Sequence, residues 1–412
     1  MSTKNKLKIC IIGLGYVGLP LAVAFAKKKY LVTGFDISKS RVDELKNFYD
    51  KTGEIEKSDL TLVSTNLDFS NNDKCISLAD IIIVSVPTPI KLDNTPDLEP
   101  LISATKIIAE NLKKKSVIVY ESTVFPGATE EICVPIIQNI SGFKFNKDFF
   151  VGYSPERINP GDKINKLENI KKVVSASNKE TLETLEILYG DIIEAGIFSA
   201  ESIKIAEASK ITENIQRDVN IALINELHQI FSLMDIDTSK VIEAASTKWN
   251  FMKVEPGLVG GHCIGVDPHY MIYKSTGHGY VPNLMRNARE INEGMSTWVV
   301  NNFLQFCQLN SIDLITKKVT VLGYTFKKNC PDTRNTKVEQ LLFFLKKLNI
   351  DLCIWDPWLE DQDKNYLRSK GFEVLDSKPL AMEIGFLCVK HDNILSLINE
   401  CDSQVFDFTK TY

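Results

Sequence analysis

Short, unbroken apolar runs alternate with stretches of helical period through the first half of the chain. Lys8–Ile12, Leu31–Phe35, Ile81–Val86, Ser116–Glu121 and Phe149–Tyr153 read as strands, with helical patterns such as Tyr16–Lys28 and Leu101–Asn111 between them. Strands that are apolar along their whole length are buried on both faces, so the pattern predicts a parallel sheet covered by helices. From about Ala200 to about Met234 no Gly or Pro interrupts a helical pattern. It predicts a helix roughly 50 Å long at 1.5 Å per residue, suited to connecting domains and forming a dimer interface. Helical texture continues to about Asn310, broken by the loop Glu255–His269. The alternation then returns, with Lys318–Gly323, Leu352–Trp355 and Gly385–Val389 as strands and Thr336–Leu348 as a helix. The two halves share a plan of strand, glycine turn, helix and a strand ending in an acid, at Phe35-Asp36 and Trp355-Asp356. This is a repeat of βαβ units, not a solenoid. The expected fold class is α/β, two Rossmann-like doubly wound domains joined by a long central helix and an α-helical dimerisation region. The boundaries are drawn at residues 1–199, 200–310 and 311–412.

Length supports that division, because 412 residues exceed what one hydrophobic core organises. The apolar and charged fractions, 44% and 25%, are those of an ordinary globular protein. A net charge of -5 and a pI near 5.7 give no basic field for nucleic acid, although a few local Lys and Arg suffice for a diphosphate. Nine cysteines without CxxC spacing favour free thiols in a reducing compartment. Lys4, Lys6 and Lys8 precede an uncharged run, Ile9–Ala26, that imitates a targeting segment. Gly13, Gly15, Gly18 and Pro20 lie inside that run, and a further βα pattern follows, so it reads as the first βα unit. No other apolar run is long enough to span a bilayer. A cytoplasmic protein with no nucleic-acid or membrane partner is expected.

Gly13-Leu14-Gly15-Tyr16-Val17-Gly18 fits GxGxxG. It follows a strand, opens a helix and precedes a second strand ending at Asp36, about twenty residues on, which is the context the dinucleotide fingerprint requires. Gly13 permits the tight turn, Gly15 lets the backbone approach a pyrophosphate, and Gly18 lets helix and strand pack closely. Asp36 would accept hydrogen bonds from ribose hydroxyls and repel a 2′-phosphate, which favours NAD over NADP; Lys39 and Arg41 follow it. The second informative stretch is Gly257-Leu258-Val259-Gly260-Gly261-His262-Cys263-Ile264-Gly265-Val266-Asp267. Flanking glycines would let a substrate approach the Cys263 thiol, and Asp267 could serve as a base or orient water. A thiolate adds to an aldehyde, and the thiohemiacetal can lose hydride to give a thioester that water hydrolyses. Together these parts suit a four-electron oxidation of an alcohol to an acid. His262, Cys263, Asp267 and His269 match no zinc spacing, so no metal is expected.

With both motifs placed, the chain resembles the UDP-glucose/GDP-mannose dehydrogenase family, and within it the bacterial UDP-N-acetylhexosamine 6-dehydrogenases of capsule and O-antigen synthesis. The resemblance rests on GLGYVGLPLA (13–22), VPTP (86–89), ESTVFPGATEE (121–131), YSPERINPGDK (153–163), GLVGGHCIGVDP (257–268) and FKKNCPDTRNTK (326–337). It implies that Pro87, Thr88 and Ser122 contact NAD together with Gly13, Gly15, Tyr16, Val17, Gly18, Asp36, Arg41, Thr123 and Lys337. It also implies that Thr123 positions a catalytic water and that Glu156 acts in thioester hydrolysis. Lys210 and Asn214, one helical turn apart, would stabilise the developing alkoxide and bind the oxyanion or water. Arg157, Arg217, Phe251, Lys253, Gly260, Lys327 and Arg334 join Glu156, Lys210 and Asn214 as substrate contacts. Pro160 stands where a commoner sugar-dehydrogenase pattern has a second Glu, and this favours the N-acetylhexosamine branch. The expected enzyme binds a nucleotide-sugar between its α/β domains and acts as a homodimer or larger homo-oligomer. The alternatives are UDP-glucose or GDP-mannose as substrate, a two-electron dehydrogenase of small hydroxy acids, and a non-catalytic nucleotide-sugar or NAD sensor.

Overall fold

In the computed structural model, which describes residues 7–158 and 166–410, the chain forms two compact units. One holds the residues up to Glu213 together with His269–His278; the other holds Asn214–Pro268 and the chain from Gly279 onward. Residues of segment 200–310 belong to both units. Pro160, on which the preference for N-acetylhexosamines leaned, lies outside the described residues.

The first unit runs β1 (Lys8–Ile12), α1 (Gly18–Lys27), β2 (Leu31–Phe35), α2 (Lys39–Lys46), α3 (Lys57–Val63), β3 (Leu67–Ser70), β4 (Ile81–Val84), α4 (Glu99–Asn111), β5 (Val117–Tyr120), α5 (Val134–Ser141), β6 (Phe150–Tyr153), β7 (Lys172–Ala176), α6 (Lys179–Gly190) and β8 (Ile197–Ser199). Its sheet has the order β3-β2-β1-β4-β5-β6-β7-β8, parallel except where β7 meets β6. The chain winds outward from β1 to β3 and then restarts at β4, so the connections leaving β1 and β4 diverge. That leaves a crevice beyond their carboxyl ends, where ligands of such sheets bind. The core joins Ile9 and Ile11 of β1 and Ile81 and Ile83 of β4 to Phe25 of α1 and Tyr189 of α6. Each such burial contributes about 1.5–3 kcal/mol.

The chain continues through α7 (Ile203–Leu233), α8 (Thr238–Ala245), α9 (Asp267–Gly277) and α10 (Asn283–Leu309). The boundary between units falls within α7 and within α9. The second sheet follows, with β9 (Val319–Leu322), α11 (Val338–Lys347), β10 (Leu352–Trp355), α12 (Asp361–Ser369), β11 (Glu373–Val374), β12 (Ile384–Leu387), α13 (Asp392–Glu400) and β13 (Gln404–Asp407). Its order, β11-β10-β9-β12-β13, is the same doubly wound plan. Phe303 of α10 stacks on Phe386 of β12 with ring centroids 4.6 Å apart, fixing that helix against this sheet.

The repeat between the halves reaches individual hydrogen bonds. Gly13, at φ 90°, donates its N–H to Phe35 O at 2.9 Å, and Leu14 N–H donates to Asp36 Oδ2 at 2.9 Å. Gly323, also at φ 90°, donates to Trp355 O at 2.9 Å, and Tyr324 N–H donates to Asp356 Oδ2 at 2.6 Å. The copies then part. α1 begins at Gly18, whereas α11 begins only at Val338, after a loop that replaces the glycine turn. Asp356 is buried against His391, whose Nε2 lies 3.1 Å from Oδ2, so this acid serves the fold.

Candidate active site

The glycine turn of the first unit has the shape of a pyrophosphate cradle. A Cβ on Gly18 would lie 1.9 Å from Gly13 O and 2.4 Å from Ser85 Oγ, so helix and turn meet at a distance only glycine permits. A Cβ on Gly15 would meet nothing within 4 Å: the space above the turn is open. The turn leads directly into the N-terminus of α1, whose dipole suits an anion. Asp36 receives the N–H of Leu14 and, through Oδ1, that of Ser38 at 2.8 Å, leaving carboxylate lone pairs for ribose hydroxyls. Arg41, expected beside the cofactor, is buried under the turn instead. Its Nε donates to Leu14 O at 2.9 Å and its Nη2 pairs with Asp50 at 2.7 Å, because a buried guanidinium must be satisfied within the protein. Ser122 Oγ donates to Val86 O at 2.6 Å and so ties the turn after β5 to the Pro87-Thr88 turn after β4. Tyr16, Val17 and Thr123 are part-exposed at the same carboxyl edge.

Beneath these turns lies a charge cluster that the sequence motifs do not announce. Lys172 Nζ donates to Glu121 Oε2 at 2.9 Å and to Glu156 Oε2 at 2.8 Å, all three residues being buried. Glu156 Oε1 also accepts the N–H groups of Arg157 and Ile158, each at 2.6 Å. Burial alone would raise the Glu156 pKa, but the Lys172 cation and the two N–H groups hold it below the ordinary carboxylate value. Glu121, bonded to Tyr189, is pushed up by burial. Glu156 is therefore a buried anion that fixes the turn after β6. Arg157 is equally engaged, pairing with Glu213 at 2.7 Å and donating to Lys171 O at 2.9 Å. Along α7, Lys210 is buried, and Glu207 accepts Gly127 N–H at 2.5 Å and Thr129 N–H at 2.9 Å. Burial pushes Glu207 up to about 7.

In the second unit Cys263 is exposed on the loop before α9. Its carbonyl oxygen accepts the N–H of Asp267 at 2.8 Å, and Asn214 Nδ2 donates to Asp267 Oδ2 at 2.5 Å. Asn214 and Asp267 are both buried, which sets the carboxylate firmly one turn from the thiol-bearing residue. The loop is anchored at its start by Asn225, whose Oδ1 accepts Gly257 N–H at 2.9 Å while its Nδ2 donates to Gly257 O at 3.0 Å. The two glycines before His262 serve packing more than substrate access. A Cβ on Gly260 would come within 2.9 Å of Asn335 O, and one on Gly261, at φ 80°, within 2.9 Å of the Phe326 ring. Gly265 has room around it, a Cβ there meeting nothing closer than 3.8 Å, and one on Gly257 would meet nothing within 4 Å. Arg217, Phe251 and Lys253 stand at least partly exposed on α7 and the chain leading to this loop.

The replacement loop of the second sheet lines a cavity of about 180 Å³ at the carboxyl ends of β9 and β12. Lys327, Lys337 and Lys390 contribute cations to its walls, with Phe326 and Pro256 as apolar surface. Lys337, expected with the cofactor, thus groups with Lys327, and it is ion-paired with Glu293. Arg334 is folded onto Asp332, its Nε donating to Oδ1 at 2.8 Å.

An open glycine cradle on one doubly wound sheet, a cationic cavity on a second and an exposed cysteine held near a buried carboxylate define a dehydrogenase of nucleotide-sugars. The chain belongs to the UDP-glucose/GDP-mannose dehydrogenase family: its NAD binding domain matches residues 7–193, its central domain 204–294 and its UDP binding domain 320–407. NAD is the cofactor. Over 357 residues the chain is 50% identical to a UDP-N-acetyl-D-glucosamine 6-dehydrogenase of Pseudomonas aeruginosa, covering 87% of this chain and 84% of that one. It is 45% identical to protein CapL of Staphylococcus aureus, covering 97% and 95%. The solved UDP-D-ManNAc dehydrogenase of Pyrococcus horikoshii superposes with a TM-score of 0.86 at 25% identity, covering 97% and 94%. Among the described residues, no helix is long and apolar enough to cross a membrane.

Proposed function

We propose that the protein oxidises the C6 hydroxyl of a UDP-N-acetylhexosamine, UDP-GlcNAc or UDP-GalNAc, to the carboxylate in two NAD-dependent steps, for a capsule or O-antigen polysaccharide. The observation that carries the reading is the exposed Cys263 beside the buried Asn214–Asp267 pair, in a chain half identical to a UDP-N-acetyl-D-glucosamine 6-dehydrogenase. NAD, when bound, accepts hydride from the carbon in each step. Asp267, acting through a water, takes the C6 hydroxyl proton in the first oxidation. Lys210 stabilises the developing alkoxide, and Asn214 holds Asp267 in place while binding the oxyanion. The Cys263 thiolate then adds to the aldehyde, which keeps a reactive intermediate on the protein, and the second oxidation leaves a thioester. Water positioned by Thr123 releases the acid. Glu156 orders the adjoining turn as a fixed anion and, with acceptor capacity left on Oε2, acts in the thioester hydrolysis.

Lys327, Lys337 and Lys390 hold the diphosphate of UDP, with Phe326 as an apolar wall. A non-catalytic sensor would have no need for Cys263, Lys210 and Asp267 together. The location is cytoplasmic. The working form is a homodimer or larger homo-oligomer, to which the exposed Leu223, Ile230 and Leu233 of α7 contribute apolar contact; light scattering at the mass of a monomer would sink that part.

The test is NADH formation at limiting UDP-GlcNAc, UDP-GalNAc, UDP-ManNAc and UDP-glucose, comparing the native protein with Cys263→Ser. Two NADH per N-acetylhexosamine, with complete turnover lost in the variant, is the expected result. One NADH per sugar and an unimpaired variant would remove the thiohemiacetal route.

A further inference from the structure

The loop that brings Lys327 to the cavity of the second sheet follows β9 and covers residues 324–329. Its first two N–H groups, those of Tyr324 and Thr325, donate to Asp356 Oδ2 at 2.6 Å and 3.0 Å. His391, the residue before α13, is fully buried and bonded at both ring nitrogens. Nδ1 accepts the N–H of Asn329 at 2.8 Å. Nε2 lies 3.1 Å from Asp356 Oδ2 and 3.1 Å from Thr325 Oγ1.

These partners fix the tautomer. A backbone N–H can only donate, so Nδ1 holds a lone pair and the ring proton sits on Nε2, shared between the carboxylate and the hydroxyl. The Thr325 hydroxyl keeps its own proton for Lys327 O, at 3.2 Å. One neutral ring thus holds the backbone on both sides of the Lys327 side chain, directly at Asn329 and through Thr325 at the Lys327 carbonyl. The loop is also tied to α13 by Lys328 to Asp392 at 2.7 Å and by Asn329 Nδ2 to Asp392 Oδ2 at 2.6 Å. Those ties are exposed to solvent, where such pairs contribute little, and the buried imidazole is the anchor.

We propose that His391 is a positioning residue for the diphosphate of the nucleotide-sugar, holding the Lys327 loop in its binding conformation before substrate arrives. The proposal rests on the reading that the lysine-walled cavity takes that diphosphate. With the loop already ordered, binding does not have to offset the backbone entropy that a mobile loop would lose. The acceptor at Nδ1 carries the effect, because it holds the loop directly.

The test uses the full-length protein with UDP as the probe. UDP and NAD are titrated calorimetrically into the native chain, His391→Asn, His391→Gln and Lys327→Ala. Asn places an amide oxygen where Nδ1 stands and keeps the Asn329 bond, so UDP affinity should stay within about twofold of native. Gln places an amide nitrogen near Nε2 and keeps Asp356 but leaves the Asn329 N–H without its acceptor. There UDP affinity should fall about tenfold, the size of one hydrogen bond, while NAD affinity stays native. Amide exchange needs no variant: in the native protein without UDP, the Asn329 N–H should already be protected. Should a variant fail to fold, that measurement decides. Equal losses of UDP affinity in the Asn and Gln variants, or none in the Gln variant, overturn the proposal. So does an Asn329 amide that becomes protected only when UDP binds. Lys327→Ala separates the two readings. If it weakens UDP while His391→Gln does not, the positioning role alone falls. If it leaves UDP affinity native, the cavity does not hold the diphosphate, and both fall.

Discussion

Gly15 and Gly18 stand three residues apart in one motif and are required for opposite reasons. An added methyl on Gly18 collides with Gly13 O and Ser85 Oγ, so Gly18→Ala should destabilise the first unit by about 1–3 kcal/mol and weaken NAD binding. Gly15→Ala meets no protein atom and should leave the melting temperature unchanged while NAD affinity falls, because the methyl would stand where the pyrophosphate approaches. Thermal melts beside NAD titrations separate the two, and a Gly15→Ala chain with native affinity would remove the cradle from its assigned place. Glu207 offers a prediction in pH. Its folded pKa, about 7, exceeds the usual carboxylate value, so the folded state holds a proton that the unfolded chain releases. Its contribution is therefore present in full below about pH 4.5 and is lost as pH rises toward 7 and beyond. Glu207→Gln should flatten this part of the stability–pH curve, as measured by denaturant unfolding between those values; an unchanged slope would mean that Glu207 does not titrate there. Spacing exposes the glycines in the sequence but not Glu207, whose burial depends on a loop about eighty positions earlier in the chain.

Single elements are held by polar side chains reaching across sequence. Lys172 opens an apolar strand and bonds carboxylates after β5 and after β6. Replacing it by Met leaves buried carboxylates without their cation, and a loss of roughly 3–5 kcal/mol is expected. Calorimetry would check this. Stability within about 1 kcal/mol of the native protein would show that the carboxylates simply protonate. Asn225, on α7, does for the cysteine loop what Lys172 does for the sheet edge, gripping both backbone groups of Gly257. Asn225→Ala should speed amide exchange over residues 257–266 and lower kcat while leaving the NAD KM unchanged. The family resemblance implied that α7 carries functional polar groups, Lys210 and Asn214 among them. Which of them face the loop depended on α10, whose Asn292 completes the Asn225 network at 2.9 Å.

At the scale of the whole chain, the doubly wound plan occurs twice and is used differently each time. In the first copy a short glycine turn leaves open space beside Gly15 at a helix N-terminus; in the second, a longer loop brings lysines to the same edge, and Asp356 is closed off by His391. Lys327→Ala should raise the KM for the UDP-sugar about tenfold or more, with a weaker salt dependence, and leave the NAD KM unchanged. Equal effects on both KM values would assign the loop to general folding. The strand and helix periodicities, the glycine fingerprint with its acid, the cysteine loop and the repeat were all legible in the residue order. Each is a local pattern, set by backbone conformation and by which face of an element must avoid water. The order of residues did not reveal that Arg41 braces the turn from below, that Gly260 and Gly261 make room for Asn335 and Phe326, or that Lys337 groups with Lys327. Those assignments required the tertiary structure, because burial and hydrogen bonding between residues far apart in sequence determine whether a charge faces a ligand or holds the protein together.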